Sequence, residues 1–206
     1  MPRRSQLLAK GGSLRPEEVL QLYRGGYFLM ADDDGKVGVY SANPRAILPF
    51  ERFHVSRRMR RELKASDFEI VFDRDCEGVI RGCSERERTW ISEEIIQVYL
   101  ELHRRGFVHS VEAWQEGRLV GGLYGVALGS AFCGESMFHR VSNASKACLV
   151  ALVSHLRERN YTLLDCQAAT SHTERFGVEL ISEEKYQLLL KEALGRECSF
   201  GIEKES

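Results

Sequence analysis

Two hydrophobic patterns alternate along the chain, one with a period of two residues and one with a helical period. The first predicts strands, which we place at residues 68–72, 108–114, 119–128, 131–134, 161–165 and 178–181. The second predicts helices, which we place between residues 16 and 25, 56 and 64, 92 and 106, 142 and 159, and 182 and 194. A meander of antiparallel strands, followed by a helix and another strand, predicts an α+β fold with a sheet that the long helix covers.

The first part of the chain is irregular in sequence. All four prolines precede Phe50, together with an acidic turn at residues 32–35. We therefore predict a small, turn-rich N-terminal subdomain over residues 1–65 and a mixed domain of strands and helices over residues 66–206.

The predicted helix over residues 56–64 is basic on one face. At about 100° per residue, that face carries Arg57, Arg60, Arg61 and Lys64. Met59 and Leu63 point away from it. Such a face fits the phosphates of a nucleic acid, which it would bind without reading the base sequence. An ordinary solvated face is the alternative.

Composition limits the class of partner and the compartment. The chain has 206 residues, 43% of them hydrophobic, with 29 Lys and Arg against 30 Asp and Glu. A net charge of −1 excludes a generally basic nucleic-acid coat but permits a local basic patch. The N-terminus lacks the unbroken apolar stretch of a signal peptide or a membrane span, so we expect a soluble cytoplasmic protein.

The six cysteines are scattered along the chain without C-x-x-C pairing. This spacing favours reduced, mostly buried thiols over a disulfide framework or a zinc site. We therefore expect no metal, and we expect no cofactor.

Three segments of the second half carry a family signal. They read HSVEAW at residues 109–114, LVGGLYGVA at residues 119–127, and GESMF at residues 134–138 with NASK at residues 143–146. Together they resemble the central motifs of the leucyl/phenylalanyl-tRNA protein transferase family. Further signatures of that family have counterparts here, in the same order, at residues 43–48, 89–91 and 165–167. The resemblance extends from about Leu7 to Leu194.

Members of this family transfer Leu, Phe or Met from aminoacyl-tRNA to proteins that begin with Lys or Arg, which creates an N-degron for degradation. The resemblance therefore implies two partners, a leucyl-, phenylalanyl- or methionyl-tRNA and an acceptor protein. It also implies an acetyltransferase-like (GNAT-like) fold. The loop that binds acyl-CoA in that fold is missing at residues 138–143. A CoA-dependent N-acetyltransferase and a non-catalytic adaptor that binds tRNA or N-degrons are the alternatives.

The reaction that the resemblance implies is aminolysis of an ester, in which a neutral amine attacks the aminoacyl carbonyl. We expect three side chains to serve it, Asp165, Gln167 and Glu135. Asp165 would hold the acceptor amine, and Gln167, on the same face of an extended segment, can donate and accept hydrogen bonds. Glu135 would receive the cationic side chain or the N-terminal ammonium of the acceptor. The alternatives are a turn cap for Asp165 and, for Glu135, a surface pair with Arg140 or Lys146.

The resemblance also maps a pocket for the donor amino acid. Its expected lining is Trp90, Leu123, Met137, Leu152, Leu156 and Leu164. Ordinary core packing is the alternative for Leu152 and Leu156, which share the apolar stripe of the long helix. Gly121 and Gly122 within a strand indicate that a substrate or another backbone approaches closely, and they favour a cleft beside Leu123.

Overall fold

The computed structural model describes residues 5–10, 14–87, 89–170 and 173–201. Its strands, named β1 to β10 in chain order, are Ser5–Lys10, Phe28–Ala31, Val37–Ala42, Arg45–Ile47, Glu69–Phe72, Val108–Gln115, Arg118–Leu128, Ala131–His139, Leu163–Gln167 and Glu179–Ile181. Its helices, named α1 to α6, are Pro16–Arg24, Arg57–Ala65, Cys76–Ser84, Glu93–Arg104, Ala144–Glu158 and Glu183–Leu194. A short 3₁₀ helix, Glu174–Phe176, precedes β10.

The strands form two sheets. β1, β3 and β2 form a small antiparallel sheet, and the other seven form a mixed sheet in the order β10-β4-β9-β8-β7-β6-β5. Neighbours in the large sheet are antiparallel except for β8 and β9, which are parallel. The predicted α+β class, with a mixed sheet and covering helices, is confirmed.

The strands β8 and β9 diverge partway along their length. Their ladder ends at Cys133 and Asp165, whereas β8 continues to His139. We predict the end of this strand at residue 134, but β8 is longer because residues 136–139 still pair with β7. The divergence leaves one edge of β8 open and creates a cleft between the two strands.

The large sheet lies between two helical layers. α3 and α4 pack on one face together with the small sheet, and α5 packs on the other. Consecutive residues of β7 show the alternation, since Leu123 contributes to the cluster around α5 and Tyr124 to the cluster around α3 and α4. The covering helix predicted between residues 142 and 159 is confirmed as α5.

Serine caps explain why three helices begin where they do. The side chains of Ser56, Ser92 and Ser182 each accept a hydrogen bond from the backbone N–H three residues later, at 3.2 or 3.3 Å. The predicted starts of α2, α4 and α6 are thereby confirmed. Among the described helices, none is long and apolar enough to cross a membrane.

The hydrophobic pattern does not predict α3. Its nine residues include Gly78 and Gly82, each of which lowers helix propensity by about 1 kcal/mol relative to alanine. Gly78 donates its backbone N–H to the capping carboxylate of Asp75 at 2.8 Å. A Cβ at Gly82 would lie 2.7 Å from the ring of Phe138. Packing against β8 therefore requires a residue that local propensity disfavours.

The short strand β4 belongs to the large sheet, where it lies between β10 and β9. The small sheet ends before it, at Ala42. β4 precedes residue 65, where we place the boundary between the two predicted domains. That boundary stays a prediction.

The C-terminal segment returns to the core through one aromatic ring. Phe200 is 3% exposed and packs against His109 and His155, with ring centroids 4.1 and 4.5 Å away. Its backbone oxygen lies 2.8 Å from Nε2 of His155. Because His109 belongs to β6 and His155 to α5, the ring ties the sheet to its covering helix.

Phe200→Ala tests this connection. Loss of a buried aromatic ring leaves a cavity, so we expect the free energy of unfolding to fall by about 3–5 kcal/mol. Leu188→Ala is the control, because Leu188 is 70% exposed and should change stability by less than about 0.5 kcal/mol. Urea unfolding of both variants makes the comparison. Equal, small effects would mean that the C-terminal segment contributes little to the fold.

Candidate active site

A cavity of about 940 Å³ lies where β8 and β9 diverge. Most residues expected from the sequence line it, namely Glu135, Gln167, Trp90, Leu123, Met137, Leu152 and Leu164. Asp165 and Leu156 do not line it. Further lining comes from residues that the sequence pattern does not single out, among them Phe28, Met30, Tyr124, Ser145 and Leu149.

One side of the cavity is apolar. This apolar lobe consists of Leu123, Met137, Leu149, Leu152 and Leu164. Leu156, which we expect in the lining, is instead fully buried in the core behind the lobe. Leu149, from the same stripe of α5, faces the cavity. The helical period identifies the stripe, but the level at which the strands diverge decides which of its residues meet the cavity.

The opposite wall comes from the small sheet and the segment before α4. Phe28 and Met30 lie on β2, and Trp90 lies beside them. The backbone oxygen of Trp90 accepts a hydrogen bond from the backbone N–H of Ala31 at 2.8 Å. This bond fixes the indole segment to β2, so the small sheet forms part of the cavity rather than a separate appendage.

Gln167 and Glu135 form a hydrogen-bonded pair at the floor of the cavity. Nε2 of Gln167 donates to Oε1 of Glu135 at 2.7 Å. Gln167 has φ 59°, a left-handed conformation that turns the chain at the end of β9. For this reason Gln167 faces the cavity while Asp165 does not, and our expectation that the two share one face is wrong.

Asp165 lies in a buried ion pair with Arg45. Its Oδ1 and Oδ2 accept hydrogen bonds from the guanidinium at 2.9 and 2.6 Å, and the two residues are 0% and 1% exposed. Tyr186 donates to Oδ2 at 2.8 Å, and the backbone N–H of Gln167 donates to Oδ1 at 2.8 Å. Burial disfavours the charge of Arg45, but the carboxylate of Asp165 outweighs it and raises the pKa of Arg45. Asp165 therefore fixes the backbone of Gln167.

Glu135 is enclosed by tyrosines behind the cavity. Tyr99 donates to its Oε2 at 3.2 Å, and the hydroxyls of Tyr99 and Tyr23 lie 2.5 Å apart. Burial raises the pKa of Glu135 to about 7, although hydrogen bonds from the tyrosines act in the opposite direction. The surface pairs considered for Glu135 do not form, because Arg140 pairs with Glu85 and Lys146 bonds Asn143.

Tyr124 adds a hydroxyl that lacks a partner. It is fully buried, and among the described residues its hydroxyl makes no hydrogen bond. The ring packs edge-on against Tyr99, with centroids 5.6 Å apart, and borders the cavity. Aromatic residues are common in strands, so the sequence carries no signal that separates this tyrosine from ordinary core.

The basic residues of α2 are solvent-exposed, as their pattern predicts. Arg57, Arg60, Arg61 and Lys64 are all exposed, whereas Met59 and Leu63 are half-buried. The guanidinium of Arg60 donates to the backbone oxygen of Val55 at 3.1 Å. On the same helix Arg58 pairs with Glu62 at 2.7 Å, but no carboxylate in the described part of the chain pairs with Arg57 or Arg61. Two guanidinium groups are thus available to a phosphate ligand.

The six cysteines are free, and four of them are buried, which agrees with the expectation of mostly buried thiols. No three His, Cys, Asp or Glu side chains within the described residues form a cluster that could hold a metal ion.

Comparison with known proteins decides the family. The model of the family described as leucyl/phenylalanyl-tRNA protein transferase matches residues 47–191, well over half of the chain. The chain belongs to this family. As a member it is a transferase enzyme, and the resemblance inferred from its motifs is confirmed.

Two relatives show how far the similarity to this transferase extends. The leucyl/phenylalanyl-tRNA–protein transferase of Rubrobacter xylanophilus is 54% identical over 188 residues, which cover 91% of this chain and 98% of the relative. That of Salinibacter ruber is 50% identical over 182 residues, which cover 88% of this chain and 80% of the relative.

Solved structures similar to the transferase share little of its sequence. L-PGS from Bacillus licheniformis aligns with a TM-score of 0.44 and 13% identity, over 87% of this chain and 70% of that one. A GCN5-related N-acetyltransferase-like protein from Streptococcus suis aligns with a TM-score of 0.37 and 15% identity, over 80% of this chain and 63% of that one.

Glu135→Gln tests the raised pKa in the transferase through its stability. Between the ordinary pKa of 4.5 and the folded value of about 7, folded Glu135 keeps a proton that the unfolded chain has released. This carboxyl group therefore lowers stability as pH rises to about 7, and the loss is complete above that pH. We expect Glu135→Gln to be more stable than the wild type by roughly 3 kcal/mol at pH 8 and by less than about 1 kcal/mol at pH 5.

Urea unfolding at pH 5 and pH 8 measures this difference. Glu51→Gln, at an exposed position, is the control and should respond equally at both pH values. A gain from Glu135→Gln that is the same at both pH values would contradict the raised pKa.

Proposed function

We propose that this transferase moves Leu, and also Phe or Met, from aminoacyl-tRNA to the N-terminal Lys or Arg of an acceptor protein, which creates an N-degron. The observation that carries the proposal is the hydrogen-bonded pair of Glu135 and Gln167 next to the apolar lobe, in one cavity. We further propose that the reaction takes place in the cytoplasm, where charged tRNA is available.

The apolar lobe suits a donor with a flexible hydrophobic side chain. Its walls are leucines from β7, β9 and α5, which offer no hydrogen bond to a polar side chain. Met137 adds an adaptable thioether, which accommodates side chains of different shape. A methylene group changes affinity in such a pocket by only about 1–3 kcal/mol, which fits an enzyme that accepts Leu, Phe and Met.

The polar pair suits the acceptor amine. An α-amine has a pKa of about 7.7–8.0, so roughly a tenth of it is neutral at pH 7 without help from a strong base. Nε2 of Gln167 is already committed to Glu135, which leaves its amide oxygen to accept a hydrogen bond from the amine. Glu135, with a pKa of about 7, is partly ionised at this pH and can hold the charged form of the amine nearby.

The reaction itself needs little more than alignment. The neutral amine attacks the ester carbonyl, a C–N bond forms, and the bond from the carbonyl carbon to the ribose oxygen breaks. The amine loses a proton and the leaving ribose oxygen gains one, so the step is balanced without a cofactor. Alignment of the two groups supplies much of the rate, and in this scheme Asp165 acts as a positioning residue that fixes Gln167.

Carboxylates in the cavity support a cationic acceptor. Asp33 is exposed and lines the cavity, and Glu135 lies at its floor, whereas Glu85 is paired with Arg140. An N-terminal Lys or Arg carries two positive charges, one on its α-ammonium and one on its side chain. Acidic groups at two levels of the cavity would attract both.

The transfer assay tests the proposed function. Radiolabelled leucyl-tRNA and a peptide that begins with Arg should give labelled peptide, whereas labelled acetyl-CoA should give none. Gln167→Ala should lower kcat by roughly a hundredfold and leave tRNA binding unchanged, because the proposal assigns this side chain to the acceptor amine and not to the tRNA. Acetyl transfer would establish the N-acetyltransferase instead, and tRNA binding without any transfer would establish an adaptor.

The basic face of α2 should bind the tRNA through its phosphates. Arg57→Ala and Arg61→Ala should each reduce the slope of log Kd against log salt by about 1, because each removes one phosphate contact. Arg58→Ala is the matched control, since Arg58 lies on the same helix but is paired with Glu62. Filter binding between 50 and 200 mM salt measures the slopes. If Arg57→Ala and Arg61→Ala give the same slope as the control Arg58→Ala, the tRNA phosphates bind somewhere other than this face of α2.

A further inference from the structure

The first turn of α5 has backbone donors without acceptors. The N–H of Ala144 bonds Val141 at 3.1 Å, and that of Ala147 bonds Asn143 at 2.9 Å. Between them, the N–H groups of Ser145 and Lys146 donate to no acceptor in the described part of the chain. Asn143, with φ 70°, provides no side-chain cap. Two amides at the positive end of a fifteen-residue helix are therefore unsatisfied.

The side chain of Asn143 is occupied in two other contacts. Its Oδ1 accepts from Nζ of Lys146 at 2.8 Å, and its Nδ2 donates to Oε2 of Glu62 at 3.3 Å. The first contact holds an ammonium group beside the first turn, where a cation opposes the helix dipole. The second brings α2 next to the start of α5. The ammonium of Lys146 raises the positive potential around the two unsatisfied amides, and the carboxylate of Glu62 offsets part of it.

Ser145 is an independent observation that points to a ligand. The residue is 3% exposed and lines the cavity. Its hydroxyl makes no hydrogen bond with any described residue and borders the cavity, where a ligand oxygen can accept a hydrogen bond from it. It lies one turn before Leu149 on the same face of α5, so it borders the apolar lobe.

Gly121 on β7 packs closely against the start of α5. A Cβ at this position would lie 2.5 Å from Cβ of Ala144 and 3.1 Å from the backbone nitrogen of Ser145. Any larger residue would press on the start of α5 and cover the amide of Ser145. The glycine therefore permits the close approach of the strand to the start of α5.

We propose that the amides of Ser145 and Lys146, the hydroxyl of Ser145 and the ammonium of Lys146 bind the 5′-phosphate of the terminal adenosine of aminoacyl-tRNA. This inference rests on the proposed function. Helix N-termini with free N–H groups bind phosphates in many proteins, because the groups and the helix dipole converge on the anion. The site adjoins the apolar lobe through Leu149, so a phosphate bound there would lie beside a donor side chain in that lobe.

Calorimetry with two stable donor analogues tests this site. The probes are adenosine carrying a 3′-leucylamide and the same molecule with a 5′-phosphate. For the wild type we expect the phosphate to tighten Kd by roughly tenfold. Ser145→Ala and Lys146→Met should each remove most of that gain and leave the affinity for the unphosphorylated analogue unchanged. Ser154→Ala, an exposed serine of the same helix, is the control and should retain the full gain.

The outcomes separate this inference from the proposed function. Equal binding of both analogues by the wild type would overturn the phosphate site while leaving the donor pocket in place. A phosphate gain that survives in both Ser145→Ala and Lys146→Met would also overturn it. Failure of both analogues to bind would instead refute the donor site, and with it both proposals.

Discussion

The buried ion pair between Arg45 and Asp165 fixes the geometry on which the candidate site depends. The guanidinium bonds both oxygens of Asp165, and it also donates to the backbone oxygen of Gly26 and to the hydroxyl of Tyr186. It thus joins β4, β9, the segment after α1 and the helix α6. Loss of one partner would leave a buried charge uncompensated, which typically costs about 3–5 kcal/mol. The planar, forked guanidinium suits these simultaneous contacts better than a lysine would.

From this pair a chain of hydrogen bonds leads to the cavity. Asp165 holds the backbone N–H of Gln167, Gln167 holds Glu135, and Glu135 accepts from Tyr99, whose hydroxyl contacts Tyr23. Each member is oriented by the one before it, so the carboxylate and the amide reach the cavity in one arrangement. The same enclosure that positions Glu135 also raises its pKa toward neutrality, because few waters remain to solvate its charge.

Sequence patterns predict the parts of this structure that local physics controls. Serine caps and apolar stripes locate α2, α4 and α6, and the two-residue period locates the meander. The patterns do not predict features that depend on distant partners. Asp165 and Arg45 are 120 residues apart, and an arginine whose partner lies that far along the chain reads as a surface residue. Motif resemblance identifies Gln167 and Glu135 correctly as cavity residues, but Gln167 and the buried Asp165 face different ways because of a positive φ at Gln167 that the sequence does not announce.

The divergence of β8 and β9 explains why apolar and charged features meet in this cavity. A fully paired sheet would bury the edge of β8, and the leucines of β7, β9 and α5 would close over one another as core. Because the ladder ends at Cys133, those side chains border open space while the buried pair of Arg45 and Asp165 keeps the end of β9 in place. The opening also leaves the start of α5 accessible from the cavity. The apolar lobe, the polar pair of Glu135 and Gln167 and the start of α5 therefore border one opening.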